Sequence, residues 1–212
     1  MIQHTVRPHL TLVLVRHAKT DYNSIGPEGR FCGTSDPPLN ELGHRQAAAI
    51  ADKLRCRRVA VVASSPLLRS IQTANTISKS FGLPVAIDDR LREIHYGKWE
   101  GLRKKEVQAG YPADWRAFEA DPATSVPPEG ENVEAVLGRM NDYVSSITQS
   151  AIIVGHKTAF RLFLCSLLGR SLSEYRSFSD LRIASISEIT MGSTAQVIRL
   201  NETSHLDFVP KA

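Results

Sequence analysis

Two histidines in this chain lie just behind short apolar runs of the kind that form buried strands. His17 follows Arg16 at the end of the run 10–15, and His156 lies two residues after the run 151–154. A neutral imidazole nitrogen can attack phosphorus, and a guanidinium can hold phosphate oxygens through paired hydrogen bonds. Residues of these types would therefore suit phosphoryl chemistry, provided that the fold brings them to one place.

A second arginine, Arg69, lies in the first turn of a predicted helix behind another strand. The strand covers 59–63 and is followed by a Ser-Ser-Pro turn. The carboxyl ends of parallel strands meet at one edge of a sheet, where helix N-termini add unpaired N–H groups and positive potential. The sequence therefore predicts an anion pocket at this edge, suited to a phosphate.

The rest of the chain alternates between strand patterns and helix patterns. Apolar runs without polar alternation predict buried strands, and apolar residues at helical spacing predict helices. We expect strands at 10–15, 59–63, 83–87, 151–154, 184–189 and 196–200, and helices at 40–55, 67–81, 129–150 and 158–168. This alternation predicts an α/β fold with a mainly parallel central sheet and helices on both faces.

Residues 91–128 depart from this alternation. They contain four prolines, both tryptophans and few β-branched residues. We interpret this segment as a cap-like insertion with one or two short helices, within a single domain that spans 1–212. Tyr96 and Trp99 are expected to pack the insertion, with contact to the substrate as the alternative. The basic run 103–105 is expected to be a solvated face, with attraction of anions to the rim of the site as the alternative.

Six blocks of the sequence resemble the histidine phosphatase superfamily, which has the phosphoglycerate mutase-like fold. They occur in the order found in that family. The blocks are LVLVRHAKTDYN, SSPLLRSIQTA, LREIHYGKWEG, PPEGENVEAVLGRM, IIVGHKTAFR and RLNETSHL. The similarity extends from about residue 10 to residue 206, and it implies a three-layer α/β/α fold with a small helical insertion over the site.

The resemblance also implies a role for each matched residue. His17 would be the nucleophile that attacks phosphorus, and Glu93 would donate a proton to the leaving oxygen. His156 would belong to the catalytic set as well. The residues that would hold the phosphoryl oxygens are Arg16, Arg69, His156 and Asn23. Because two fixed guanidiniums can neutralise phosphate charge, as Mg²⁺ does in other phosphoryl-transfer sites, we expect neither a metal nor another cofactor.

The branch of the family sets the expected reaction. The HYGKWEG stretch and the short segment behind it resemble the broad-specificity and alpha-ribazole phosphatases, which implies hydrolysis of a small phosphomonoester through a phosphohistidine on His17. A phosphoglycerate-type mutase is the alternative, and a non-catalytic module that binds phosphorylated ligands is a second one.

Lys157 is a departure from the family pattern, because members often have a small residue after the histidine. Its side chain either reaches the mouth of the pocket, where it would select a substrate with a second negative group, or points to solvent. The sequence favours neither interpretation.

Composition excludes several other classes of protein. Of the 212 residues, 42% are hydrophobic and 23% are charged, as in a folded globular domain rather than a disordered chain. The chain has neither a dinucleotide fingerprint nor a P-loop, and its three cysteines lack zinc-site spacing. No apolar run approaches the ~18 residues of a membrane helix. Part of the positive charge is expected at the phosphate pocket, through Arg16 and Arg69, and the remaining basic residues form no stripe.

We therefore expect a cytoplasmic protein whose partner is a small phosphorylated metabolite, with no nucleic-acid or membrane partner. The oligomeric state cannot be read from the sequence.

Overall fold

A six-stranded sheet forms the centre of the computed structural model, which describes residues 10–23, 29–207 and 209. The strands are β1 (Leu10–Arg16), β2 (Val61–Ser64), β3 (Val85–Ile87), β4 (Ala151–Gly155), β5 (Ile186–Met191) and β6 (Gln196–Glu202). Their order is β3-β2-β4-β1-β5-β6. The first four strands in this order are parallel, β5 is antiparallel to β1, and β6 is antiparallel to β5. This topology confirms the predicted α/β fold with a mainly parallel sheet.

Seven α-helices surround the sheet in the described residues. They are α1 (Glu41–Leu54), α2 (Leu68–Lys79), α3 (Lys104–Gly110), α4 (Pro112–Ala120), α5 (Val133–Ser146), α6 (Lys157–Leu167) and α7 (Tyr175–Phe178). Side-chain caps fix the start of two of them. The Asn40 carboxamide oxygen accepts the Gly43 N–H at 2.9 Å at the start of α1, and Asn132 accepts the Ala135 N–H at 2.7 Å at the start of α5.

Three predicted elements have wrong boundaries for local reasons. The helix predicted at 129–150 is shorter at both ends, because Glu129 has a left-handed backbone (φ 61°) and Ile147 is extended. The strand predicted at 83–87 begins only at Val85, behind Pro84, which has no N–H for the sheet ladder. The strand predicted at 184–189 begins at Ile186, because Ala184 has a φ of 58°.

The alternation of side chains along β1 divides the core into two layers. Val13 and Val15 face the side covered by α1 and α2, whereas Leu12 and Leu14 face the side covered by α5 and α6. All four side chains are at most 1% exposed. The sheet therefore lies between two helical layers, and its strands end at an edge that neither layer covers.

The segment 91–128 has an apolar cluster of its own. Trp99, Val107, Trp115 and Phe118 are between 0% and 7% exposed, and Phe31 from the loop before α1 packs against them. The expectation that Trp99 packs the insertion is thus confirmed. Among the helices of the described residues, none is both long and apolar enough to cross a membrane.

Candidate active site

The two histidines meet because β1 and β4 are adjacent parallel strands in register. Arg16 at the end of β1 pairs with Gly155 at the end of β4, so His17 and His156 emerge side by side. Their ring centroids lie 5.2 Å apart, and the two residues are 3% and 0% exposed. The predicted meeting of the strand ends is therefore present in the structure.

A main-chain hydrogen bond fixes the tautomer of His17. Its Nδ1 lies 2.8 Å from the carbonyl oxygen of Ala18. A carbonyl oxygen only accepts, so Nδ1 carries the proton and Nε2 keeps its lone pair. Burial, together with the positive charges of Arg69 and Arg16, holds the pKa of His17 well below its usual value. The ring is therefore a neutral imidazole with a free nucleophilic nitrogen.

The second histidine is held by hydroxyl groups from the β2–α2 segment. His156 Nε2 lies 2.7 Å from Ser65 Oγ and 3.3 Å from Ser70 Oγ. Ser65 Oγ accepts the Leu67 N–H at 3.3 Å and can donate its own proton to Nε2, which leaves the imidazole proton on Nδ1. Burial is the main cause that keeps the pKa of His156 well below its usual value, followed by Arg69.

Main-chain carbonyl groups orient both arginines. Arg69 is fully buried, and its terminal nitrogens donate to Ser35 O and Gly33 O, each at 2.7 Å. Arg16 donates to Leu181 O at 2.6 Å. Burial lowers the pKa of Arg16 to about 10, so the guanidinium still carries its charge at neutral pH.

Among the described residues at this edge, three buried nitrogen atoms have no hydrogen-bond partner. They are Arg16 Nε, Arg69 Nε and His156 Nδ1. A buried donor without a partner costs about 1–3 kcal/mol, so such atoms call for an acceptor. One group with several negatively charged oxygens would satisfy all three, and a phosphoryl group has that chemistry.

Glu93 lies at the N-terminus of α6 and is only 5% exposed. Its Oε1 accepts the N–H groups of Ile94 and Ala159, both at 3.0 Å, and its Oε2 accepts the Thr158 N–H at 2.9 Å. Both lone pairs of Oε1 are therefore engaged, whereas Oε2 has one left. Oε2 is therefore the oxygen that can take part in a further hydrogen bond.

The remaining two predicted residues lie at the wall of the site. Asn23 and Lys157 line a cavity of about 850 Å³ to which Arg16 also contributes. The side-chain oxygen of Asn23 accepts from the Thr20 hydroxyl at 2.9 Å, and Lys157 forms an ion pair with Asp180. Lys157 thus lies at the cavity, and its role in selecting a substrate stays a prediction.

Sequence reasoning missed the residues that support this site. Ser65 and Ser70 hold His156, and Thr73 Oγ1 accepts the Ala18 N–H at 3.1 Å. All three lie in the block SSPLLRSIQTA, where the available signal was the hydroxyl groups of Ser70 and Thr73 on the buried face of α2 and of Ser65 just before this helix. The part of the chain that the structure describes contains no cluster of three or more His, Cys, Asp or Glu side chains suited to a metal ion.

Comparison with known proteins gives matches over nearly the whole chain. A family model described as the histidine phosphatase superfamily, branch 1, matches residues 12–203. Phosphoserine phosphatase 1 of Hydrogenobacter thermophilus is 36% identical over 201 residues, which cover 92% of this chain and 93% of the relative.

Two solved structures show the same architecture. Mycobacterial glucosyl-3-phosphoglycerate phosphatase has a TM-score of 0.82 at 27% identity, over 92% of this chain and 100% of the other. The alpha-ribazole phosphatase of Shigella flexneri has a TM-score of 0.82 at 25% identity, over 91% and 96% of the two chains.

These matches confirm the predicted fold and the predicted class of enzyme, a phosphoric monoester hydrolase. The chain belongs to branch 1 of the histidine phosphatase superfamily.

Proposed function

We propose that this chain hydrolyses a small phosphomonoester in two steps, through a phosphohistidine on His17. The observation that carries the proposal is the hydrogen bond from His17 Nδ1 to the Ala18 carbonyl, which leaves Nε2 as a neutral nucleophile. The unpartnered donors of Arg16 and Arg69 lie beside it, where they would hold the phosphoryl oxygens.

In the first step the Nε2 lone pair forms a bond to phosphorus, and the bond from phosphorus to the alcohol oxygen breaks. Glu93 Oε2 gives its proton to that oxygen, so the alcohol leaves neutral and Glu93 becomes a carboxylate. The three N–H groups that point at Glu93 stabilise this negative charge.

In the second step a water molecule attacks phosphorus and gives a proton to Glu93. The bond from His17 Nε2 to phosphorus breaks, inorganic phosphate leaves, and the starting protonation states are restored. The fixed charges of the two arginines neutralise the phosphate throughout, so we expect no divalent cation to be required.

The proposed partner is a small phosphorylated metabolite. Its support is the cavity that Arg16 and Lys157 line, which has room for a small molecule. The cytoplasmic location and the single domain over 1–212 stay predictions.

The test measures phosphate release from p-nitrophenyl phosphate and from 3-phosphoglycerate, with and without EDTA. We expect release that survives EDTA and is lost in His17→Ala. His44→Ala is the matched control, because His44 is exposed on α1. Isomerisation of 3-phosphoglycerate without phosphate release would favour the mutase. If wild type and His17→Ala are equally inert yet bind phosphorylated ligands, the binding module is correct.

A further inference from the structure

A second cavity, of about 280 Å³, begins beside the proposed proton donor. Thr158, whose N–H donates to Glu93 Oε2, lines it, and so does Tyr96, whose hydroxyl lies 3.3 Å from Thr158 Oγ1. Arg30 and Lys157 line both this cavity and the one that Arg16 lines. Because Glu93 would protonate the leaving oxygen, the alcohol part of the substrate would lie on the side of Glu93 where this cavity opens. We call this space the alcohol cavity.

The alcohol cavity is strongly cationic. Five of its lining side chains carry positive charge: Arg30, Lys104, Lys157, Arg161 and Arg176. Within the described residues, no acidic side chain lines it. Lys104 and Lys157 do pair with acids, Glu119 and Asp180, but neither carboxylate belongs to the lining. An excess of one charge in a partly enclosed space with low-dielectric walls favours a ligand of opposite charge.

Aromatic rings form the rest of the wall. They are Phe31, Tyr96, Trp115, Phe118 and Tyr175. Lys104 Nζ lies 4.9 Å from the centre of the Trp115 ring, and the Arg176 guanidinium carbon lies 5.1 Å from the centre of the Phe118 ring. These cation–π contacts hold the two charges against the wall of the cavity. The space therefore combines an apolar surface with fixed positive charge.

We propose that the alcohol part of the substrate carries a second negatively charged group, which binds in the alcohol cavity near Lys104, Arg161 and Arg176. This proposal rests on the proposed function, since it assigns the leaving group of that reaction. The preferred substrate is thus a phosphomonoester of an anionic alcohol, with a compact apolar part against the aromatic wall.

The test compares 4-carboxyphenyl phosphate with its methyl ester, which has a similar shape but no second charge. In wild type we expect kcat/KM to favour the carboxylate by about tenfold, and we expect Lys104→Gln/Arg176→Gln to remove most of that preference. Both positions are exposed, so the variant should fold. Dividing the wild-type ratio by the variant ratio cancels the difference between the two leaving groups.

The matched control is Lys79→Gln/Arg116→Gln, which removes two exposed charges that line neither cavity. It should keep the wild-type preference. An equal ratio in wild type and in Lys104→Gln/Arg176→Gln would overturn the subsite while leaving the phosphatase intact. Failure of wild type to release phosphate from either compound would overturn the proposed function itself.

An independent observation concerns Glu100, whose side chain is only 15% exposed. Its carboxylate accepts five hydrogen bonds. The donors are the N–H groups of Gly33 (3.2 Å), Thr34 (3.0 Å), Ser35 (3.0 Å) and Tyr96 (2.9 Å) and the Ser35 hydroxyl (2.6 Å). Gly33 lies so close to this carboxylate that a Cβ at position 33 would be 2.3 Å from Glu100 Oε1.

The same short loop orients Arg69. Gly33 and Ser35 donate their N–H groups to Glu100, and their carbonyl oxygens accept from the two terminal nitrogens of Arg69. We infer that Glu100 is a positioning residue, which fixes the loop and thereby the direction of the Arg69 guanidinium. A carboxamide at this position would turn an NH₂ group toward N–H donors and loosen the loop.

The test is a double-mutant cycle on kcat/KM with p-nitrophenyl phosphate. Glu100→Gln should lower kcat/KM about tenfold in wild type and in Arg16→Met, and have little further effect in Arg69→Met. A purely structural role would give the same factor in all three backgrounds, and that result would overturn the proposal. Urea denaturation of each variant shows whether it is folded.

Discussion

The phosphoryl end of the site and the alcohol cavity are built in different ways. At the phosphoryl end, His17, Arg69 and His156 are at most 3% exposed, and main-chain carbonyls or hydroxyl groups hold each of them. In the alcohol cavity, Lys104 and Arg176 are exposed and are held by aromatic rings of the insertion.

The two ends also depend on different parts of the chain. The strand ends of the sheet place the phosphoryl end, so its geometry follows from the fold itself. The insertion and the helix α7 place Lys104 and Arg176, two of the five charges of the alcohol cavity, and such segments can change without altering the sheet. The two histidines are thus tied to the strand ends of the core, whereas Lys104 and Arg176, which would select the substrate, are tied to the periphery.

The largest expected effect is the loss of the nucleophile at the phosphoryl end. His17→Ala should lower kcat by about 10⁴-fold or more, because Nε2 of His17 would form the intermediate and, among the described residues, the Nε2 of the neighbouring His156 is engaged by Ser65. The measurement is phosphate release from 4-carboxyphenyl phosphate and from its methyl ester, with circular dichroism as the check on folding. A loss confined to the carboxylate substrate would contradict the division between the two ends.

Glu93→Gln should have the next largest effect, and it should depend on the leaving group. A carboxamide cannot protonate the leaving oxygen, so kcat for an alkyl phosphate should fall by about 10²–10⁴-fold. For p-nitrophenyl phosphate the rate of the first step should fall much less, because p-nitrophenolate leaves as an anion and needs no proton. Equal losses of the first-step rate for both substrates would exclude Glu93 as the proton donor.

Burial at the phosphoryl end should also make stability depend on pH. His17 and His156 have lowered pKa values in the folded state, whereas in the unfolded chain their pKa is about 6.5. The unfolded state therefore binds more protons, and the free energy of unfolding falls as the pH drops below about 6.5. Between pH 7.5 and 5.5 we expect a loss of roughly 2–3 kcal/mol from the two residues.

Urea denaturation at the two pH values measures this loss. The variant His17→Gln/His156→Gln should lose most of the pH dependence, since glutamine does not titrate. An unchanged pH dependence in that variant would show that other groups cause it. The exposed cations of the alcohol cavity should contribute nothing comparable over this range.

The smallest expected effect is that of Lys157→Gln, at the boundary between the two ends. Lys157 lines both cavities, but its ion pair with Asp180 already neutralises part of its charge. We expect KM for 4-carboxyphenyl phosphate to rise about threefold and KM for the methyl ester to stay unchanged, since partly exposed ion pairs contribute up to about 1 kcal/mol. A large loss of kcat would instead place Lys157 in the phosphoryl end.

The difference between the phosphoryl end and the alcohol cavity also explains which site residues could be predicted from the sequence. His17 and His156 stand directly behind apolar strand patterns, so parallel pairing of β1 and β4 was enough to bring them together. Arg176 carries no such signal, because the fold alone brings α7 against Phe118 of the insertion.

Local backbone conformation limited the prediction of boundaries as well. The apolar periodicity of α5 extends beyond the helix, and only the left-handed backbone at Glu129 shows where the chain turns. Glu100 was missed because its partners lie in a loop about 65 residues earlier in the chain, with no periodicity that links the two.

Trapping of the phosphorylated enzyme tests the central claim most directly. Glu93→Gln should form the intermediate rapidly from p-nitrophenyl phosphate and hydrolyse it slowly, because the base of the second step is missing. After a rapid quench, mass spectrometry should find one acid-labile phosphoryl group on the peptide that contains His17. Release of p-nitrophenol with the phosphoryl group on another residue, or with none on the enzyme, would contradict the account.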